Sequence, residues 1–152
     1  MCIRDSTYPR YPIVGVGAII FKEDSVLLIK RKNPPSANTW SIPGGVVEIG
    51  ETIREAIIRE VKEELGLEIR PERIIDVIDC IIPDKEGKIM YHYVIIDFLC
   101  TALSGNPVAN SDIKEFIFEP LNRLSGLGLS HNLKRVIEKA YRLRLTTQSF
   151  EL

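Results

Sequence analysis

The stretch Thr52 to Gly66, TIREAIIREVKEELG, fixes one helix at both ends and constrains the fold more than any other segment. Thr52 followed by Glu55 forms a capping box, in which each side chain satisfies a backbone N–H at the helix start. Gly66 sits where a left-handed residue closes a helix, which places the helix at about Ile53 to Leu65. Taking Ile53 as origin, Ile57 falls at ~40°, Val61 at ~80° and Leu65 at ~120°, a single apolar stripe that must bury against another layer. Glu64 at ~20° and Glu60 at ~340° line the rim of that stripe, with Glu63 beside them at ~280°.

Strand-like segments surround this helix. Ile13 to Phe21 and Val26 to Arg31 are short runs rich in β-branched residues on either side of a polar turn, the pattern of a hairpin. WSIPGG reads as a short strand interrupted by Pro43, and Arg73 to Ile82 with Ile89 to Leu103 form a second hairpin around PDKEGK. Glu115 to Glu119 alternates like a strand. A final helix starts at a Ser130 N-cap and runs to near Leu145. These elements predict an α+β fold, an α/β/α sandwich with a mixed β-sheet between helices. One domain is expected over residues 11–146, preceded by a loose lead-in (1–10) and followed by a short tail (147–152).

The acids at the end of the first helix break three rules. Carboxylates there oppose the macrodipole by ~0.3 to 1 kcal/mol each. Glu60 and Glu64, four residues apart, repel by a few tenths of a kcal/mol, and partial burial adds a larger cost. Arg59 and Lys62, at ~240° and ~180°, point away from that rim. A hard divalent cation with oxygen ligands, Mg²⁺ or Mn²⁺, removes all three penalties. Taken alone, REVKEE reads more simply as a solvated charged face.

At 152 residues with a net charge of -1, the chain can bury a core and lacks the basic excess of a sequence-independent nucleic-acid binder. It contains no apolar run near the ~20 residues that span a membrane. Cys2, Cys80 and Cys100 are odd in number and without zinc spacing, which fits a reducing, cytoplasmic setting.

With its flanks, the helix matches G-x5-E-x7-R-E-U-x-E-E-x-G-U (U apolar) at every fixed position: Gly45, Glu51, Arg59, Glu60, Val61, Glu63, Glu64, Gly66 and Leu67. A chance match is on the order of 10⁻⁷ at average residue usage. The chain thus resembles the Nudix hydrolases, metal-dependent pyrophosphohydrolases that cleave a nucleoside diphosphate linked to another group. The resemblance implies Glu60 and Glu64 as main metal ligands, Glu63 as a ligand directly or through water, and the Gly44 carbonyl as a further one. It assigns Arg59 and Glu51 to an ion pair that orients the loop against the helix.

The water-activating base is open among Glu60, Asp112, Glu115 and Glu119, with Glu115 preferred. Arg31 and Lys32 are candidates for holding phosphates, and Trp40 for stacking on a base; surface cations and a core tryptophan are the simpler accounts. His92, between Tyr91 and Tyr93, reads as half-buried structure. A proline sixteen residues past the motif accompanies ADP-ribose hydrolysis in related enzymes, and Pro83 stands there. The best expectation is cleavage of ADP-ribose to AMP and ribose 5-phosphate. An oxidised or ordinary nucleoside triphosphate is the alternative, and a non-catalytic nucleotide sensor the reading from another class. A nucleotide-derived small molecule is the expected partner. By resemblance a homodimer is expected too, using the strand Ile89 to Leu103 or the N-terminal segment.

Overall fold

The computed structural model describes residues 6–33 and 37–150, the last five without their side chains. Cys2 and the remainder of the expected lead-in and tail, residues 1–5 and 151–152, lie outside the described residues, as do Pro34, Pro35 and Ser36 of the expected loop.

The hairpin signalled by the two β-branched runs forms β1 (Ile13–Lys22) and β2 (Ser25–Arg31), antiparallel where Phe21 faces Val26. Pro43 divides WSIPGG into β3 (Trp40–Ser41) and β4 (Gly44–Val46). The capped helix is α1 (Ile53–Leu65), with Thr52 accepting from the Glu55 N–H and Gly66 left-handed, as its sequence dictates. The second hairpin, β5 (Glu68–Pro83) and β6 (Ile89–Ser104), starts five residues earlier than Arg73 because Ile69 and Pro71 continue pairing through bulges. β7 (Ile113–Pro120) follows, then a 3-10 helix (Leu121–Leu127) that the sequence did not signal. Ser130 caps α2 (His131–Phe150), which continues past the expected end near Leu145.

The strands form one mixed sheet in the order β3-β2-β1-β6-β5, with β4 beside β1 and β7 beside β2. Only β1 and β6 run parallel; the remaining pairs are antiparallel. Side chains alternate along each strand. Val16, Ala18, Ile20, Leu27 and Ile29 pack with Ile57, Val61 and Leu65 of α1, whereas Ile19, Val26 and Leu28 pack with Val136, Ile137 and Ala140 of α2. The expected sandwich is therefore present.

Residues 6–10 are held more firmly than a loose lead-in. Ser6 is buried, and Tyr8 donates its N–H to the Met90 carbonyl and its hydroxyl to Asp84. No helix among the described residues is long and apolar enough to cross a membrane.

Candidate active site

The acids of α1 are more deeply placed than their helical angles require. Glu60 is 2 % and Glu64 5 % exposed, because β4 lies directly against this end of the helix. Gly45 makes that approach possible: a Cβ there would collide with the Glu60 carboxyl group. The Gly44 N–H donates to Glu64 Oε1 at 2.9 Å. Burial raises both carboxyls above the usual range, against the opposing pull of Arg59 on Glu60 and of Arg31 on Glu64.

Two arginines supply the charge that the acids demand. Arg31, at the end of β2, reaches Glu64 Oε2 with Nη1 at 2.5 Å and the Gly44 carbonyl with Nη2 at 2.9 Å. Arg59 does not point away, as its helical angle suggests, because its long side chain folds back along the helix. It meets Glu51 through Nε at 2.6 Å and Nη2 at 2.9 Å, Glu60 at 2.9 Å and Glu63 at 3.2 Å. It also donates to the Val46 carbonyl at 3.0 Å. The Glu51–Arg59 fork is the loop-to-helix ion pair expected from the sequence, and it lowers the Glu51 pKa.

The loop after β6 closes this corner. Val108 and Asn110 donate their N–H groups to the Leu65 and Glu64 carbonyls, and the Asn110 side chain donates to the Glu63 carbonyl at 3.0 Å. Carbonyls left unpaired at the end of α1 are satisfied in this way. The same anchoring brings Asp112 to the acids. Arg31, Asn33, Glu60, Glu63, Glu64, Asn110 and Asp112 line a cleft of about 40 Å³, room on the order of one ion or water molecule.

Four candidate site residues stand elsewhere. Glu115 faces Lys30 in the β2–β7 register, and Lys30 lies over the Trp40 ring on the α2 side of the sheet. Glu115 is thus on the face opposite the acids and is corrected as the candidate base; Glu119, opposite Val26, shares that face. Trp40 packs against the α2-side core under Lys30, so it does not offer an open platform for a base. Lys32 exposes its side chain and lines neither the cleft nor the larger cavity beside it. Of the three residues proposed to hold substrate, only Arg31 is at the site.

That larger cavity, about 350 Å³, opens on the other side of β4, includes Gly44 in its lining and shares Arg31 with the acid cleft. Its floor is Gly15 and Gly17; Ile42, Ile78, Ile95, Leu133 and Val136 supply apolar walls. Asp97, 4 % exposed, is the residue that sequence reading passed over. The available signal was a charge within the apolar run YVIIDFLC.

The NUDIX domain profile matches residues 12–142. The chain belongs to the Nudix family. As a member it is a Nudix pyrophosphohydrolase. It is 40% identical over 121 residues to the ADP-ribose pyrophosphatase of Methanocaldococcus jannaschii, covering 80% of this chain and 69% of that protein. The putative ADP-ribose pyrophosphatase YjhB of Bacillus subtilis is 31% identical over 125 residues, 82% of this chain and 58% of its own length. A crystal structure of a MutT NUDIX hydrolase from Burkholderia pseudomallei superposes with a TM-score of 0.72 at 35% identity, over 86% of this chain and 98% of that one.

Proposed function

We propose that this Nudix hydrolase cleaves ADP-ribose to AMP and ribose 5-phosphate at the cleft lined by Glu60, Glu63, Glu64 and Asp112. The observation that carries the substrate choice is the 40% identity to an ADP-ribose pyrophosphatase over four fifths of the chain. Pro83, which ends β5 beside the cavity-lining Ile82, adds to it.

Mg²⁺ or Mn²⁺ is the cation that fits the donor set, because Glu60, Glu63, Glu64 and the Gly44 carbonyl offer only oxygen. Among the described residues, no three acidic, histidine or cysteine side chains converge as a ready metal site. The cause is visible in the ion pairs: Arg31 draws Glu64 one way, and Arg59 draws Glu60 and Glu63 another. Holding a cation therefore requires Glu64 and the Gly44 carbonyl to exchange Arg31 for it. When bound, such an ion neutralises pyrophosphate charge and lowers the pKa of the attacking water.

The chain's own groups complete the chemistry. Arg31, freed from Glu64, is positioned to hold a phosphate, since its guanidinium borders both the cleft and the cavity. Asp112 replaces Glu115 as the carboxylate that accepts the water proton. Arg59 keeps Glu51, Val46 and Glu60 in one arrangement, so the loop carrying Gly44 and Gly45 stays against the acids.

Cys80 and Cys100 are free thiols, which supports a reducing, cytoplasmic setting. A homodimer would use the apolar side chains that β5 and β6 expose, Val77, Ile81 and Ile89 among them.

The substrate assignment is tested by turnover with Mg²⁺ on ADP-ribose, 8-oxo-dGTP, dATP, diadenosine tetraphosphate and a nucleotide sugar. Highest kcat/KM on ADP-ribose is expected; a preference for a triphosphate would overturn it.

A further inference from the structure

Asp97 is a buried carboxyl with no structural partner. Its cross-strand neighbour on β5 is another acid, Asp76, and its neighbour on β1 is Gly17. No described residue donates a hydrogen bond to it; desolvation and Asp76 are the influences on its ionisation, and both push the pKa up, to about 7. Arg135 of α2 pairs weakly with Asp76, at 3.9 Å, and is not bonded to Asp97. An unpaired buried carboxyl beside a like charge is costly to a fold. A chain selected only for stability would carry an apolar residue in this strand.

The surroundings show where the carboxyl is aimed. A Cβ on Gly17 would strike Asp97 Oδ1 and the Ile42 side chain, so the group lies over the glycine floor of the 350 Å³ cavity. Apolar walls with a carboxyl aimed between them, in a volume within the usual ligand range, describe a pocket for a flat heterocycle with a polar edge. Arg31 joins this pocket to the acid cleft. A molecule whose pyrophosphate lies at Glu60 and Glu64 can therefore extend a terminal group past Gly44 to Asp97.

We propose that this cavity takes the nucleobase end of the substrate and that Asp97 reads the base edge as a neutral carboxylic acid. Its O–H donates to a ring nitrogen and its carbonyl accepts from an adjacent N–H, the pairing that an adenine edge offers. This rests on the pyrophosphohydrolase reading and supplies the base recognition that an ADP-ribose substrate needs. Guanine, with two adjacent N–H donors, would instead suit an ionised carboxylate.

The test is calorimetric binding of AMP, GMP, CMP, UMP and ribose 5-phosphate to the wild-type protein, Asp97→Asn and Asp97→Leu, with ADP-ribose turnover measured alongside. Asparagine keeps one donor and one acceptor, so AMP affinity should stay within about 3-fold. Leucine leaves the base edge without a partner, so AMP should weaken at least 10-fold while ribose 5-phosphate binds unchanged. Equal AMP affinity in all three proteins, or an equal loss of AMP and ribose 5-phosphate in Asp97→Leu, would overturn the proposal even if ADP-ribose is cleaved. Loss of AMP binding in Asp97→Asn would also overturn it, since the ionised form would then be the reader. If ADP-ribose is not cleaved and CMP shows the Asp97 dependence expected for AMP, base reading by a neutral acid stands and the ADP-ribose assignment falls.

Discussion

The guanidinium of Arg31 lies 2.5 Å from the Glu64 carboxylate, a strand residue neutralising an acid of α1 across 33 positions of sequence. Both are largely buried, with side chains 15% and 6% exposed. Removing one partner leaves a charge without its counterion, which typically costs about 3 kcal/mol or more. Arg31→Met should lower unfolding free energy by that order in chelator, and Mn²⁺ should restore a substantial part of it. Urea denaturation with and without Mn²⁺ measures both. An unchanged stability would mean that the pair contributes nothing to the fold.

Glu60→Gln keeps an acceptor for Arg59 and removes one of two adjacent buried anions. Stability without metal should change by less than about 1 kcal/mol, because the lost ion pair and the relieved desolvation offset each other. Activity should fall at least ~100-fold, since the residue is a proposed cation ligand. Thermal unfolding and steady-state kinetics on the same preparation separate the two effects.

Arg59→Lys tests geometry at constant charge. Lysine cannot reproduce the two-point contact with Glu51 while also reaching the Val46 carbonyl. Stability should drop by about 1 to 2 kcal/mol, with a fall in kcat larger than any change in KM. Wild-type kcat in a correctly folded variant would remove Arg59 from the site.

The base assignment divides two acids that sequence alone could not separate. Glu115→Gln should leave kcat within about 2-fold, because the side chain is on the α2 face, whereas Asp112→Asn should lower it by ~10²-fold or more. The reverse result would restore the assignment made from position alone.

Local signals carried much of this architecture. Thr52, Glu55 and Gly66 set α1, the β-branched runs set the first hairpin, and the motif spacing set the acids. Side-chain reach and sheet face were not legible. Arg59 bends back toward carboxylates that its helical angle excludes, and the face Glu115 takes follows from its pairing with Lys30 on β2, a strand distant in sequence. Asp97 became informative only once pairing placed it over Gly17 and against Asp76.

Asp97 also predicts a pH dependence of stability. Burial and the neighbouring Asp76 raise its folded pKa from the ordinary 3.8 to about 7, so the folded state holds the proton more tightly. The stabilising contribution is fully present below about pH 4 and is lost as pH rises through 7, with an upper bound of roughly 4 kcal/mol. Asp76 and Arg135 are the charged groups nearest this effect. Asp97→Asn should gain stability relative to wild type between pH 5 and 8, read by denaturant titration at each pH. Parallel curves for the two proteins would contradict a raised pKa.

The most direct test of the central claim is ADP-ribose turnover by wild type and Glu60→Gln, each with Mg²⁺ and with chelator. Wild type with Mg²⁺ should release AMP and ribose 5-phosphate, with turnover abolished by chelator and reduced at least ~100-fold in the variant. Turnover that is indifferent to chelator, or equal in both proteins, would contradict it.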